Sequence, residues 1–183
     1  MRNLFHESQK ALLTLPPKND TEAETFSEWE FSDGLLNFDG QEFIFPDGFH
    51  AQAVSRWIED GLLMVNISVA AEVEAECARC LETANLEISG ELGYLYCSHS
   101  AGELEGFDDF MPVEAEFFGR VIDVMPQIRE SIYTLLPTKV LCREDCKGLC
   151  PECGKNLNEG SCSCGNLDID PRLLALRDYT SEQ

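Results

Sequence analysis

The sequence has little positive charge. Its 183 residues include 13 Lys and Arg against 34 Asp and Glu, which gives a net charge of −21. Sequence-independent binding to nucleic acid depends on basic side chains that displace counterions from the phosphates, so this charge excludes a general nucleic-acid binder. Any RNA contact must therefore be local, or be made through another protein.

Long apolar runs and catalytic motifs are also lacking. No run approaches the roughly 20 apolar residues of a membrane span, and the longest early one is Ala11 to Leu13, which does not resemble a secretory signal. The three histidines are scattered, and there is no glycine loop of the kind that cradles phosphates. These absences predict a cytoplasmic protein without a membrane segment and without catalytic activity.

What is present is enough apolar material for a folded core, and an uneven distribution of charge. Hydrophobic residues make up 44% of the chain. Residues 139–183 carry six basic and eight acidic residues, a net charge of −2, so the remaining −19 lies on residues 1–138. We therefore predict an acidic β-rich body with one helix at its end over residues 1–138, and a cysteine-rich metal-binding segment with a terminal helix over residues 139–183.

The clearest secondary structure is a period-two alternation. Every second residue from Leu63 to Cys77 is apolar, and the positions between them become acidic towards the end of the run. Because strand side chains point alternately to opposite faces, this pattern predicts a half-buried strand. Similar alternation over 49–57 and 86–96, with the hairpin signal Asp60-Gly61 between the first two runs, predicts an antiparallel meander with one acidic face.

Helical spacing follows the sheet. Apolar residues recur at helical intervals from Val124 to Leu136, with Asp123 as the candidate N-cap and Pro137 as the end. Asp170-Pro171 predicts the start of a second, terminal helix. The predicted fold class is α+β, with a β-meander body, a short helix and a zinc-ribbon-like C-terminal segment.

Nine cysteines carry the chemistry, and six of them lie within residues 142–164. The strongest motif is Cys150-x-x-Cys153-Gly154 followed by Cys162-x-Cys164, because two closely spaced thiolate pairs complete a tetrahedral sulfur site. We predict that these four thiols bind a structural zinc ion. Free thiols or a disulfide are the alternative.

Two other pairs are candidates for a second metal site or for accessory thiols: Cys77 with Cys80, and Cys142 with Cys146. Core packing is the alternative for Cys77, which continues the apolar face. A redox-active dithiol is a further alternative, since a neighbouring arginine favours thiolate. Cys97 falls on the predicted polar face of its strand and is interpreted as an incidental thiol.

Basic residues near these cysteines are candidates for a local contact with RNA or a protein partner. Ordinary surface charge is the alternative, because eight acids share the segment. The candidates are Arg79, Arg143, Lys147, Lys155 and Arg172.

Together these motifs resemble the YceD family of large ribosomal RNA subunit accumulation proteins. The resemblance rests on Cys77-Ala78-Arg79-Cys80-Leu81, on the run from Cys142 to Cys164 with its Asn156-Leu157-Asn158, and on Asp170-Pro171-Arg172. Some members are similar at the first pair yet lack the later cluster, which favours a self-contained C-terminal metal site.

The resemblance implies a role in the synthesis, processing or stability of large-subunit ribosomal RNA, that is, in ribosome biogenesis, with no established catalytic activity to carry over. We expect the partner to be a ribosomal protein or a pre-ribosomal large-subunit particle that the acidic body recognises. A zinc-thiol protein regulated by oxidation and an RNA-processing hydrolase are the alternatives, and the sequence offers no catalytic residues for the hydrolase.

Overall fold

The computed structural model describes residues 3–5, 8–18, 20–59, 61–97, 107, 109–115 and 119–164. This part of the chain contains nine strands and one helix. They are β1 Leu12–Thr14, β2 Glu24–Phe31, β3 Gly34–Phe38, β4 Gln41–Phe45, β5 Phe49–Glu59, β6 Leu62–Glu76, β7 Thr83–Cys97, β8 Phe110–Glu114, β9 Val121–Asp123 and α1 Met125–Leu135.

The long strand β6 is the centre of a seven-stranded sheet. On one side its first half pairs with β5, which pairs in turn with β2, and its second half pairs with β4, which pairs with β3. On the other side β7 runs antiparallel along the whole of β6, and β8 adds to β7 in parallel. Strands β5, β6 and β7 form the predicted meander, so the α+β prediction is confirmed.

Helix α1 packs against one face of this sheet, called here the inner face. The alternating apolar positions of β6, including Val65 and Ile67, are buried against Ile128 and Ile132 of the helix. Burial of each such side chain contributes about 1.5–3 kcal/mol, which explains why the alternation fixes the register. Gly90 of β7 allows the close approach, because a Cβ atom there would lie 2.4 Å from Cδ2 of Leu135.

Hydrogen bonds join the helix to the sheet inside this core. The hydroxyl of Tyr94 donates to the carbonyl oxygen of Gln127 at 3.0 Å, and the hydroxyl of Tyr96 donates to Oε1 of the same residue at 2.7 Å. Burial is the main reason that the pKa of Tyr94 is raised to about 12. Burial also raises the pKa of Tyr96, so both tyrosines stay neutral and their hydrogen bonds join α1 to β7.

The start of α1 differs from the prediction. Val124, rather than Asp123, is the N-cap residue. The carboxylate of Asp123 still accepts the backbone N–H of Met125 at 3.0 Å, and it also accepts the N–H of Ala11 at 3.1 Å. Its position one residue earlier lets Asp123 belong to β9, which pairs with β1, and tie the N-terminal segment to the helix.

Cys97 lies on the predicted face of β7, but its surroundings there are apolar rather than polar. It is 8% exposed and packs with Leu62 and Leu95 on the sheet face opposite the helix. Phe107 and Phe110 cover this second small apolar cluster, so the face is not polar at this end of β7. Of the two residues in the predicted hairpin turn, Gly61 has a φ of +80°, Asp60 lies outside the described residues, and Glu59 pairs with Leu62 across the turn.

The first 50 residues, for which the sequence offered no motif, contain β1 to β4 and the first two residues of β5. The predicted terminal helix after Asp170 lies outside the described residues. The division of the chain at residue 138 stays a prediction.

Candidate metal centres

The first candidate centre begins in a tight turn directly after β6. The backbone N–H of Cys77 donates to the carbonyl of Glu82 at 2.8 Å, and the N–H of Leu81 donates to the carbonyl of Cys77 at 2.9 Å. Leu81 closes the turn with a φ of +62°, a left-handed conformation that side chains disfavour. The turn directs the thiols of Cys77 and Cys80 into one small cluster.

The same turn occurs a second time at Cys150. Its backbone N–H donates to the carbonyl of Lys155 at 2.8 Å, and the N–H of Gly154 donates to the carbonyl of Cys150 at 2.9 Å. Gly154 has a φ of +72° and corresponds to Leu81 of the first turn. The two C-x-x-C segments therefore share one backbone arrangement, in which the first has leucine where the second has glycine.

Each turn combines with a second pair of cysteines. Site A consists of Cys77, Cys80, Cys142 and Cys146, and site B consists of Cys150, Cys153, Cys162 and Cys164. In each site all four sulfur atoms lie within 4.8 Å of one another. The structure thus brings together the four cysteines predicted as a zinc site, and it joins the two further pairs into a second group.

The sulfur separations suit a metal ion. In site A, Sγ of Cys77 lies 3.8 Å from Sγ of Cys146, and Sγ of Cys80 lies 3.6 Å from Sγ of Cys142. In site B, Cys150 and Cys162 are separated by 3.5 Å between their sulfur atoms. A tetrahedral ion with metal–sulfur bonds of about 2.3 Å requires sulfur atoms about 3.8 Å apart, whereas a disulfide requires about 2 Å. Both sites could therefore hold a metal ion.

The two sites differ in burial. In site A three thiols are buried and Cys142 is exposed. Leu141 and Leu149 pack against these buried thiols. In site B only Cys150 is buried, while Cys153 and Cys164 are exposed. Site A is therefore attached to the end of the sheet, and site B lies at the surface of the C-terminal segment.

The thiol pKa values show why a cation would be favourable. Burial would raise the pKa of Cys77, but backbone hydrogen bonds, above all from Cys80, lower it to about 6. Backbone N–H groups of its turn lower the pKa of Cys150 to about 7. Burial and neighbouring thiols raise the pKa of Cys142 to about 12, and neighbouring thiols and burial do the same for Cys164. A divalent ion relieves the repulsion that opposes complete ionisation, and the thiols release protons when it binds.

Of the residues predicted to contact RNA or a partner, Arg79, Arg143 and Lys155 make side-chain contacts within this region. Arg79 donates from Nη1 to the carbonyl of Cys146 at 2.8 Å, and Lys155 donates from Nζ to the carbonyl of Ser161 at 2.9 Å. Arg143 pairs with Asp145 at 3.3 Å. Lys147 is exposed, and Arg172 lies outside the described residues. Contact of these side chains with RNA or a protein partner stays a prediction.

Asn158 is the residue that the sequence analysis missed. Its Oδ1 accepts Nη2 of Arg143 and the backbone N–H of Lys147, both at 2.8 Å. Its Nδ2 donates to Sγ of Cys146 at 3.4 Å, and this hydrogen bond is the largest cause of the lowered pKa of that thiol. The signal in the sequence was the Asn156-Leu157-Asn158 motif, which entered the family resemblance without a role for either asparagine.

A second surface feature is the outer face of the sheet, which points away from α1. Its strand positions carry many glutamates, and Glu72 of β6 lies directly opposite Glu87 of β7. Arg56, opposite Glu24, supplies a positive charge at one end. The glutamates at outward positions of β2, β6 and β7 are Glu24, Glu28, Glu30, Glu72, Glu74, Glu76, Glu87 and Glu91.

No helix in the described part of the chain is long and apolar enough to span a membrane.

Comparison with curated proteins gives partial matches. An uncharacterized protein of Mycobacterium tuberculosis, Rv2926c, is 32% identical over 123 residues, which cover 65% of this chain and 56% of that protein. The chloroplastic Large ribosomal RNA subunit accumulation protein YCED homolog 1 of Arabidopsis thaliana is 37% identical over 49 residues, 27% of this chain and 15% of that protein. The chain spans about half the length of the mycobacterial relatives, or less. No solved structure matches.

The family comparison covers most of the chain, including both candidate metal centres. The model of the family described as "Large ribosomal RNA subunit accumulation protein YceD" matches residues 65–179. These residues include β6 from its fourth residue onward, β7, α1 and all eight cysteines of sites A and B. The chain belongs to the YceD family.

Proposed function

We propose that this chain is a non-enzymatic ribosome-biogenesis factor that supports the accumulation, processing or stability of large-subunit ribosomal RNA. The observation that carries the proposal is family membership over residues 65–179, because the family description names large-subunit rRNA accumulation. The name of the plant relative points the same way. Two features of the structure would suit such a factor, namely the two groups of four thiols and the acidic outer face.

Zinc is the metal proposed for both sites. Tetrahedral sites of four thiolates select zinc or iron–sulfur clusters, and a single ion fits sulfur separations of 3.5 to 3.8 Å. Four protein ligands leave no open position for substrate or water, which is typical of structural zinc rather than catalytic zinc. A reducing compartment such as the cytoplasm keeps the thiols available for metal, so we place the protein there.

The proposed partner is a basic ribosomal protein, free or within a pre-ribosomal large-subunit particle. The outer face repels phosphate backbones and attracts basic side chains. A groove of about 510 Å³ lies between this face and the first cysteine turn, and its lining includes Glu74, Glu76 and the exposed Leu81. A basic segment that follows the outer face would therefore also reach the turn of site A.

Capture from lysate with mutants of the outer face tests this proposal. The variant Glu28→Gln/Glu72→Gln/Glu87→Gln removes three charges from that face. Its matched control, Glu144→Gln/Glu152→Gln/Glu159→Gln, removes three charges from exposed positions of the cysteine-rich segment. We expect ribosomal proteins and pre-ribosomal RNA to bind the wild type and the control at low salt, and to be lost from the outer-face variant.

High salt should release the partner from the wild type, because the screening length falls from about 10 Å at 0.1 M salt to about 3 Å at 1 M. Capture of neither ribosomal protein nor pre-ribosomal RNA at low salt would refute the proposed role. Equal loss of binding in the two triple mutants would refute the outer face as the site of contact.

The exposure of site B supports one alternative, a zinc-thiol protein regulated by oxidation. Hydrogen peroxide can oxidise two thiolates to a disulfide while two protons are taken up and two water molecules form, which would release the metal. Cys153 and Cys164 are exposed and open to this attack. Rapid loss of zinc in mild peroxide, reversed by reductant, would favour this function, and retention of zinc would favour a structural role.

A further inference from the structure

The loop of site B reaches back to a ligand of site A. Between the two halves of site B, the chain turns so that the N–H of Leu157 donates to the carbonyl of Gly148 at 2.9 Å. This contact places Asn158 beside Cys146, where its Nδ2 lies 3.4 Å from Sγ. A residue of the loop between the two halves of site B thus contacts sulfur in site A.

The orientation of the Asn158 amide follows from its partners. Its oxygen faces two groups that can only donate, the guanidinium of Arg143 and the backbone N–H of Lys147. The opposite orientation would place two donors against two donors, so the NH₂ group must face the sulfur atom. An N–H donor stabilises a thiolate ligand and improves it as a metal ligand.

We propose that Asn158 is a positioning residue that couples the two metal sites, so that a metal ion in site B raises the affinity of site A. The proposal rests on the metal binding proposed above. An ion in site B holds Cys153 and Cys162 at the two ends of the loop that carries Asn158, and the ordered loop presents the amide to Cys146. By thermodynamic linkage, an ion in site A raises the affinity of site B by the same factor.

The expected size of the coupling is that of an outer-shell hydrogen bond to a metal ligand. Loss of such bonds lowers metal affinity by about 10- to 100-fold. Site A should therefore bind its metal ion about 10- to 100-fold more weakly when site B is empty or when the N–H donor is removed.

Cadmium titration of the reduced, metal-free full chain tests this coupling. ¹¹³Cd NMR reports one signal for each site, and the variants Cys142→Ser and Cys164→Ser assign the two signals. Asn158→Asp keeps an oxygen for Arg143 and Lys147 but removes the N–H donor. Asn156→Asp is the matched control, because it adds the same charge in the same loop and keeps the oxygen that accepts the N–H of Asn158.

We expect Asn158→Asp to shift the site A signal and to weaken site A about 10- to 100-fold, while site B keeps its signal and Asn156→Asp changes neither site. In the Cys164→Ser background site A should already be weak, and Asn158→Asp should have little further effect, as a double-mutant cycle requires.

Equal affinity of site A with site B loaded or empty would overturn the coupling. So would a site A shift in Asn156→Asp as large as that in Asn158→Asp. Both results leave two bound metal ions per wild-type chain, whereas failure of the proposed metal binding would leave none, so the two failures are distinguishable.

Discussion

Removal of one exposed thiol from each centre should affect the stability of the sheet unequally. Cys142→Ala disables site A, and Cys164→Ala disables site B. Both side chains are exposed, so neither substitution removes much packing. A weak chelator in the buffer would strip metal from any remaining site with three thiolates. The difference in the free energy of unfolding between the two variants then shows how much each metal ion contributes to the stability of the sheet.

The magnitude follows from the chain that each ion encloses. Cys80 and Cys142 are 62 residues apart, and the chain between them contains β7, β8, β9 and α1. Cys150 and Cys162 are only 12 residues apart and enclose no strand or helix. For a cross-link, the entropy of loop closure is worth about 4 kcal/mol for the longer chain and about 3 kcal/mol for the shorter one.

Loss of site A should therefore lower the free energy of unfolding of the sheet by about 4 kcal/mol or more. Loss of site B should lower it by only about 1–3 kcal/mol. The short loop of site B encloses no part of the sheet, so only the proposed 10- to 100-fold coupling to site A, expressed as free energy, remains.

Urea denaturation followed by tryptophan fluorescence measures this difference, because Trp57 is buried in the core of the sheet. Wild type with both ions bound is the reference. An equal effect of the two substitutions would show that site A does not fasten the sheet. No effect of Cys142→Ala would show that no metal ion links the two halves of site A.

Three further substitutions give predictions for stability. Leu81→Gly relieves about 1–2 kcal/mol of left-handed strain in the folded chain and loses about 0.4–1 kcal/mol because glycine makes the unfolded chain more flexible. Urea denaturation should therefore show a small increase in the free energy of unfolding. Gly154→Ala, at the corresponding position of the second turn, should lower it by about 1 kcal/mol. A loss in Leu81→Gly would contradict the shared turn. Glu72→Gln should raise stability by about 0.2–1 kcal/mol at low salt, because it ends the cross-strand repulsion from Glu87, and the gain should shrink at high salt; a gain that does not depend on salt would contradict this origin. The pKa of Tyr94 is raised to about 12 in the folded chain. The contribution of its hydroxyl to the free energy of unfolding is therefore complete below about pH 10 and is lost as the pH rises through about 12. Tyr94→Phe should remove part of that alkaline loss in thermal denaturation, and an unchanged alkaline profile would refute this.

The central strands could be predicted because one face of each is continuously apolar. From Leu63 to Cys77 the alternation is unbroken, and the buried positions of β6 follow it. The edge strand β2 has no such pattern. On one face the exposed Phe26 stands beside Glu28, and on the other Ser27 and Trp29 are both half-buried, so neither face is continuously apolar. Packing against β5 decides that strand, and this contact is not local in sequence.

The two candidate metal centres also differ in how far they could be predicted from the sequence. Site B lies within 15 residues, from Cys150 to Cys164, so its spacing alone predicted the group. Site A requires Cys77 to meet Cys146, 69 residues away, and that distance is closed by the hairpin and by α1. The spacing in the sequence could therefore identify the two cysteine pairs of site A, but it could not show that the two pairs combine into one site.

Elemental analysis of the reduced full chain, loaded with zinc and then desalted, measures whether the chain holds two independent metal sites. We expect two zinc ions per wild-type chain and one in Cys150→Ser, because site A keeps all four of its thiols. No zinc in the wild type would contradict metal binding, and loss of all zinc in Cys150→Ser would reduce the two centres to one.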